Sequence, residues 1–273
     1  MDETAGAVAD FVAAAFARSA AAATAAAAAA GSLPGGPFLV AVAGVPGSGK
    51  TTLAAAVARR LNALAASGPP PTHGVAMGRA FVMPMDGYHL TRAQLDAMPD
   101  PATAHARRGA PFTFDPAALR ADLLTLQRTG QLSAPGFDHA LRDPSPGAIA
   151  IDATTTTATT PAEGAGDVVT APVSTRHVVL VEGLYLCLSA PDEWRAVSDV
   201  FDCRVFLAAD LDAATERLTQ RHMRAWGIGR EEAYGRASGS DRLNAELVDA
   251  HRGAVDLVVN AVDDAPWAAA AAT

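Results

Sequence analysis

The sequence predicts a three-layer α/β/α domain built on a mostly parallel sheet of five strands. Short apolar runs alternate with segments of helical period along most of the 273 residues, the pattern of a sheet covered by helices on both faces. The first run leads into a glycine-rich loop and then an amphipathic helix, and a chain of this length can bury a sizeable single core.

The elements follow in order. Alanine dominates residues 13–30; it is the best helix former but offers little area to bury, so a helix is expected, ending at the Gly31-Ser-Leu-Pro-Gly-Gly36 break. Residues 1–36 therefore read as an Ala-rich helix and linker, and 37–273 as the main domain. The five strands are expected at Phe38–Ala43, Ala80–Met85, Val178–Val181, Phe201–Leu207 and Val255–Val259. Leu53, Val57, Leu61 and Leu64 share one face of a helix after the first strand. Leu119, Leu123 and Leu126 do the same after Asp115-Pro116, a standard cap-and-first-turn pair. Residues 67–74, and the Thr-, Gly- and Pro-rich stretch at about 152–176, read as surface loops.

Composition narrows the function. A formal charge of −8 argues against a nucleic-acid or anionic-membrane binder. Two cysteines, Cys187 and Cys203, are too few for a disulfide framework, and seven scattered histidines give no metal-binding spacing. The Ala20–Ala30 region, mostly alanine, reads as too weakly hydrophobic and too short for a bilayer span, and the acidic start has no signal-like character. A cytoplasmic protein with no membrane or nucleic-acid partner is the expectation.

Chemistry concentrates after the first strand. Gly44, Val45, Pro46, Gly47, Ser48, Gly49, Lys50, Thr51 and Thr52 spell GVPGSGKTT, which satisfies G-x-x-x-x-G-K-[ST] in its required strand-to-helix context. Glycines let the backbone N–H groups wrap around phosphates, the helix N-terminus adds positive potential, the lysine reaches the outer phosphates, and Thr51 offers a hydroxyl to magnesium. Lys50 is the sole lysine beside 20 arginines. A compositional bias toward arginine has stopped where a compact charge on a thin stem is needed. A guanine-reading NKxD motif is thereby excluded. Two further strands end in acids: FVMPM runs into Asp86-Gly87-Tyr88-His89, and VVLV into Glu182-Gly183. Ligands bind at such strand C-termini in open parallel sheets.

Seven segments in order, GVPGSGKTT, DGYHL (86–90), RRGAPFTFD (107–115), PGFDHALRDPSPGAI (135–149), VVLVEGLYL (178–186), RLTQRHMR (217–224) and SDRLNAELV (240–248), resemble the phosphoribulokinase/uridine kinase family of P-loop kinases. The set is most similar to bacterial and fungal members described as nucleoside/nucleotide or sugar-transport-system kinases, and also resembles bacterial pantothenate kinase. The resemblance implies a P-loop NTPase fold with strand order 2-3-1-4-5, an arginine-bearing lid, and transfer of the γ-phosphate of ATP to an alcohol of a small molecule with Mg2+. It implies Asp86 as the group that orients and deprotonates the acceptor, with Thr51, Glu182 and Asp86 as metal-side oxygens, and leaves open which acid lies nearer the metal. Arg217, Arg221 and Arg224 recur on one helical face; Arg221 and Arg224 match the catalytic lid positions, Arg230 less closely, against the alternative of a solvated charge stripe. Tyr88, His89, Arg108, His139 and Arg142 fall in acceptor-side segments. Asp241 and Asn244 either shape the site or cap structure. A switch ATPase and a nucleotide-binding scaffold are the alternatives of other classes.

Overall fold

The computed structural model describes residues 2–30, 36–68, 71, 74–138, 140–161 and 170–261. The elements are α1 (Asp2–Ala30), β1 (Phe38–Gly44), α2 (Lys50–Ala66), β2 (Val75–Pro84), α3 (Arg92–Asp96), α4 (Pro101–Ala106), α5 (Pro116–Thr129), β3 (Gln131–Asp138), β4 (Asp143–Asp152), β5 (Thr156–Pro161), β6 (Thr170–Gly183), α6 (Asp192–Ser198), β7 (Cys203–Ala208), α7 (Leu211–Trp226), α8 (Arg230–Arg236), α9 (Arg242–Ala250) and β8 (Leu257–Asn260).

The main sheet runs β2-β6-β1-β7-β8, all parallel. In the order of the five expected strands this is 2-3-1-4-5. β1 is buried along its whole length and sits at the centre. Its side chains alternate between two cores, as the period of two in a strand requires. Leu39, Ala41 and Ala43 pack with α5 and α6 through Leu119, Leu123 and Trp194. Phe38, Val40 and Val42 pack with α2 and α1 through Leu53, Val57, Val8 and Val12. Both cysteines are buried.

Two departures have physical causes. The stretch expected as a loop at about 152–176 carries β5, which pairs antiparallel with the first residues of β6. Its threonines are β-branched and suit an extended edge strand although no hydrophobic alternation announces one. Residues 162–169 lie outside the described residues. The second concerns α1: its Asp2–Thr24 portion, which begins well before the Ala20–Ala30 stretch weighed from sequence, reaches a mean hydropathy of 1.3 and meets the length and composition of a bilayer span. Here its Ala5, Val8, Ala9, Val12, Phe16 and Ala20 face is a layer of the core. Arg176 of β6 holds it there, donating to Ser19 Oγ at 2.8 Å and to Gly36 O at 2.7 Å beside Asp202 at 3.6 Å.

Asp115 caps α5 by accepting from Ala118 N at 2.8 Å, the structural role its sequence context implies. β3 and β4 form a separate antiparallel ribbon, which sequence periodicity did not announce.

Candidate active site

The register of the sheet assembles the site. Val42 of β1 lies opposite Glu182 of β6, and Glu182 opposite Pro84 of β2. The loop after β1, the acid ending β6 and the turn after β2 therefore emerge side by side at one edge, where the backbones have stopped pairing and polar groups can face a ligand.

The loop from Val45 to Gly49 is tight. Ser48 N donates to Val45 O at 3.1 Å. Gly47 adopts φ +76, and a Cβ there would lie 2.4 Å from Ala214 O of α7, so only glycine passes. Gly49 caps α2 in the left-handed region without a side-chain hydrogen bond, which leaves the first N–H groups of α2 open to an anion. Ser48 Oγ is buried without a hydrogen-bond partner. A buried hydroxyl left unsatisfied is costly, and a phosphate oxygen would satisfy it. These features fit a nucleotide polyphosphate.

Lys50 opens α2. Burial pulls its pKa down, and the nearby Glu182 and Asp86 carboxylates oppose that effect. Burial pushes the Glu182 pKa up, while Lys50 opposes the shift. Thr51 Oγ1 donates to Glu182 Oε1 at 3.1 Å, placing a hydroxyl and a carboxylate together as a hard oxygen pair suited to a divalent cation. Among the described residues no three His, Cys, Asp or Glu side chains form a self-contained metal site; a cation here would complete its shell from ligand oxygens and water.

Asp86 sits in a single turn of 3-10 helix, Met85–Tyr88, close enough to act electrostatically on both Lys50 and Glu182. Its backbone is braced. His89 Nδ1 lies 2.8 Å from Asp86 O; since a carbonyl only accepts, Nδ1 carries the proton. The His89 ring is held between Phe114, at 3.9 Å, and Phe137, at 4.9 Å. Arg108 donates to Leu90 O at 2.9 Å and pairs with Asp143 at 3.0 Å, tying this turn to β4.

Of the lid arginines, Arg221 acts electrostatically on both Lys50 and Glu182. Arg224 is exposed on the same helix. Arg230 turns away to form a bidentate pair with Glu216 at 2.7 and 2.8 Å. Arg142, at the tip of the β3–β4 ribbon, lies over the Trp226 ring at 5.2 Å, and His222 stacks on that ring at 4.3 Å.

The remaining expected residues divide. Tyr88 is buried and its hydroxyl donates to Asp122 at 2.7 Å, so it packs beneath the site instead of lining it. An aromatic beside a catalytic-type acid reads the same from sequence whether it faces in or out. His139 lies outside the described residues. Asp241 meets His222 Nε2 at 2.8 Å and acts electrostatically on Lys50; Asn244 is buried and accepts from Arg107 at 3.4 Å. Tyr185 and Arg107 escaped the sequence reading. Tyr185, fully buried, donates to Gly109 O at 2.5 Å, and only its place three residues after Glu182 hinted at it.

A parallel sheet in this order, with a phosphate loop on the central strand and acids on the two neighbouring strand ends, defines a P-loop kinase. Relatives agree. The chain is 38% identical over 177 residues to an ATP-dependent kinase-like protein of Aspergillus versicolor, spanning 62% of this chain and 88% of that one. It is 30% identical over 225 residues to a protein provisionally named a uridine kinase in Schizosaccharomyces pombe, spanning 81% and 82%. The crystal structure of a protein provisionally named a fructose transport system kinase, from Silicibacter, superposes with a TM-score of 0.64 at 31% identity, covering 82% of this chain and 90% of that one. A Saccharomyces cerevisiae protein provisionally described as a P-loop containing kinase with a circular permutation shares the fold, with a TM-score of 0.59 at 22% identity, covering 84% of this chain and 94% of that one. No family model matches. The chain belongs to the phosphoribulokinase/uridine kinase family of P-loop kinases.

Proposed function

We propose that the protein is an ATP-dependent kinase that phosphorylates a hydroxyl of a small molecule. The observation that carries this is the convergence of Lys50, the Thr51–Glu182 pair and Asp86 at the ends of three adjacent strands. A phosphate loop alone would serve a switch ATPase as well; a braced acid on the neighbouring strand serves an acceptor.

When bound, ATP supplies the transferable phosphoryl group and Mg2+ neutralises its oxygens. The chain's own residues do the rest. The open N–H groups of α2 and Ser48 hold phosphate oxygens, and Lys50 offsets their charge. Thr51 and Glu182 would hold the cation. Asp86 orients the acceptor hydroxyl and takes its proton as the hydroxyl oxygen bonds to the γ-phosphorus and the bond to the β,γ-bridging oxygen breaks, leaving ADP. The transition state is loose, so the proton moves late and a carboxylate is base enough. Arg221 adds positive charge where the phosphoryl oxygens become exposed, with Arg224 one turn further along α7. His89 and Arg108 position the Asp86 turn and act through it.

The test is a screen of ADP release with nucleosides, sugars, pantothenate-like vitamins and their phosphorylated forms, with Asp86→Asn as the blank. One acceptor class should stimulate release in the wild type and none in the variant. Stimulation that is equal in the two proteins defeats the kinase assignment.

A further inference from the structure

Two elements from different parts of the chain press on the site. α7 abuts the phosphate loop, where Ala214 O and Leu218 Cγ leave no room for a Cβ at Gly47. The β3–β4 ribbon abuts the Asp86 turn, where Pro135 O leaves no room for a Cβ at Gly87. Phe137 of the ribbon also packs on the His89 ring, and Asp143 pairs with Arg108. The nucleotide side and the acid side are thus carried separately, and the ribbon is no part of the main sheet.

Trp226 joins them. It is the last residue of α7, and its ring lies 4.3 Å from and nearly parallel to that of the buried His222, one turn back. His222 Nε2 in turn meets Asp241 at 2.8 Å, so the indole is held against its own helix. Two exposed guanidiniums then lie over it, Arg236 of α8 at 5.0 Å and Arg142 of the ribbon tip at 5.2 Å. Indole is the aromatic ring that attracts a cation best. Arg142 reaches it from a left-handed backbone, φ +54, and among the described residues no other non-glycine has a positive φ. That conformation is costly for a residue with a Cβ. An arginine held where glycine would be unstrained marks a side chain whose contact outweighs the cost.

We infer that Trp226 is a positioning residue for phosphoryl transfer: it clasps the ribbon to α7, so that the phosphate loop and the Asp86 turn are held at one spacing. It acts through Arg142 on the ribbon and through His222 on α7, not on the reacting atoms. Transfer rests on the kinase reading; the clasp does not.

The first test needs no acceptor. Amide hydrogen exchange of residues 131–152 is followed in the full chain with and without a non-hydrolysable ATP analogue and Mg2+. A nucleotide on the phosphate loop steadies α7, and the clasp passes this to the ribbon. Exchange there should slow severalfold in the wild type and not in Trp226→Leu or Arg142→Gly. Glycine suits φ +54, so Arg142→Gly should melt like the wild type and decides the matter if Trp226→Leu melts early. A wild-type ribbon that does not respond, or an equal response in Arg142→Gly, overturns the inference.

The second test reads transfer to whichever acceptor the ADP-release screen supplies. Trp226→Leu and Arg142→Gly should each lower kcat about ten- to a hundredfold, with the KM for ATP within a fewfold of the wild type. The double variant should lose no more than the worse single one, and Trp226→Phe, which keeps a ring for the cation, should recover part of the rate. Additive losses, or a loss confined to the acceptor KM, would make Arg142 an acceptor ligand and overturn the clasp. A ribbon that answers to nucleotide without transfer to any acceptor would defeat the kinase reading and keep the clasp; transfer at the wild-type rate in both variants would do the reverse.

Discussion

Replacing Gly87 with alanine tests whether the placement of Asp86 matters as the geometry says. A Cβ at Gly87 would lie 1.9 Å from Pro135 O of β3, where contacts under 3.0 Å do not persist. The obstacle is backbone, so it cannot swing aside. The turn or the ribbon must therefore move by about 1 Å, the scale at which a misplaced reacting group loses roughly a hundredfold in rate. That is about 2.7 kcal/mol of transition-state stabilisation. Overpacking should lower the folding stability by about 1–3 kcal/mol as well. Steady-state kinetics and thermal melting, run together, separate the two: a kcat down about a hundredfold in protein that is folded at the assay temperature is the expected result. Alanine at this position with wild-type kcat would refute the argument that the turn must abut β3 for Asp86 to work.

Thr51→Val removes the hydroxyl that faces Glu182. It should raise the Mg2+ concentration for half-maximal activity about tenfold or more, and an unchanged magnesium dependence would separate this pair from the cation. Burial raises the pKa of Glu182, so its charged form is lost at a higher pH than in an exposed glutamate. The acid limb of kcat/KM, which reports the free enzyme, should lie above pH 4.5; a limb at or below that value contradicts the assignment. Arg176→Ala strands Asp202 and frees Ser19 and Gly36. A loss of about 2–3 kcal/mol is expected, below the usual cost of breaking a buried pair because Asp202 keeps part of its carboxylate in water, and denaturant melts measure it.

Much of the fold was legible because each core strand is a short apolar run and each following helix carries its own stripe. β1 and α2 are the clearest case. The phosphate loop was legible for a different reason: its residue types are forced by backbone wrapping and cannot be spread along the chain. What could not be read depends on direction. Tyr88 and His89 are neighbours, yet one goes under the site and the other braces it. Arg107 and Arg108 are neighbours too, and sequence favoured Arg108, the one that Asp143 occupies. The β3–β4 ribbon and β5 lie beyond period analysis because Gly, Pro, Ser and Thr interrupt their apolar residues: the buried Ala134 and Ile151, with Leu132 and Ile149 beside them, are too few and too widely separated to set an alternation.

The central claim is that Asp86 serves an acceptor at a site whose nucleotide is held by other residues. It is tested most directly by measuring ATP affinity and acceptor phosphorylation together in Asp86→Asn and Lys50→Ala. Asp86→Asn should bind ATP within a fewfold of the wild type and transfer no phosphate, while Lys50→Ala loses transfer and weakens ATP. Phosphate transfer at the wild-type rate by Asp86→Asn would contradict the account.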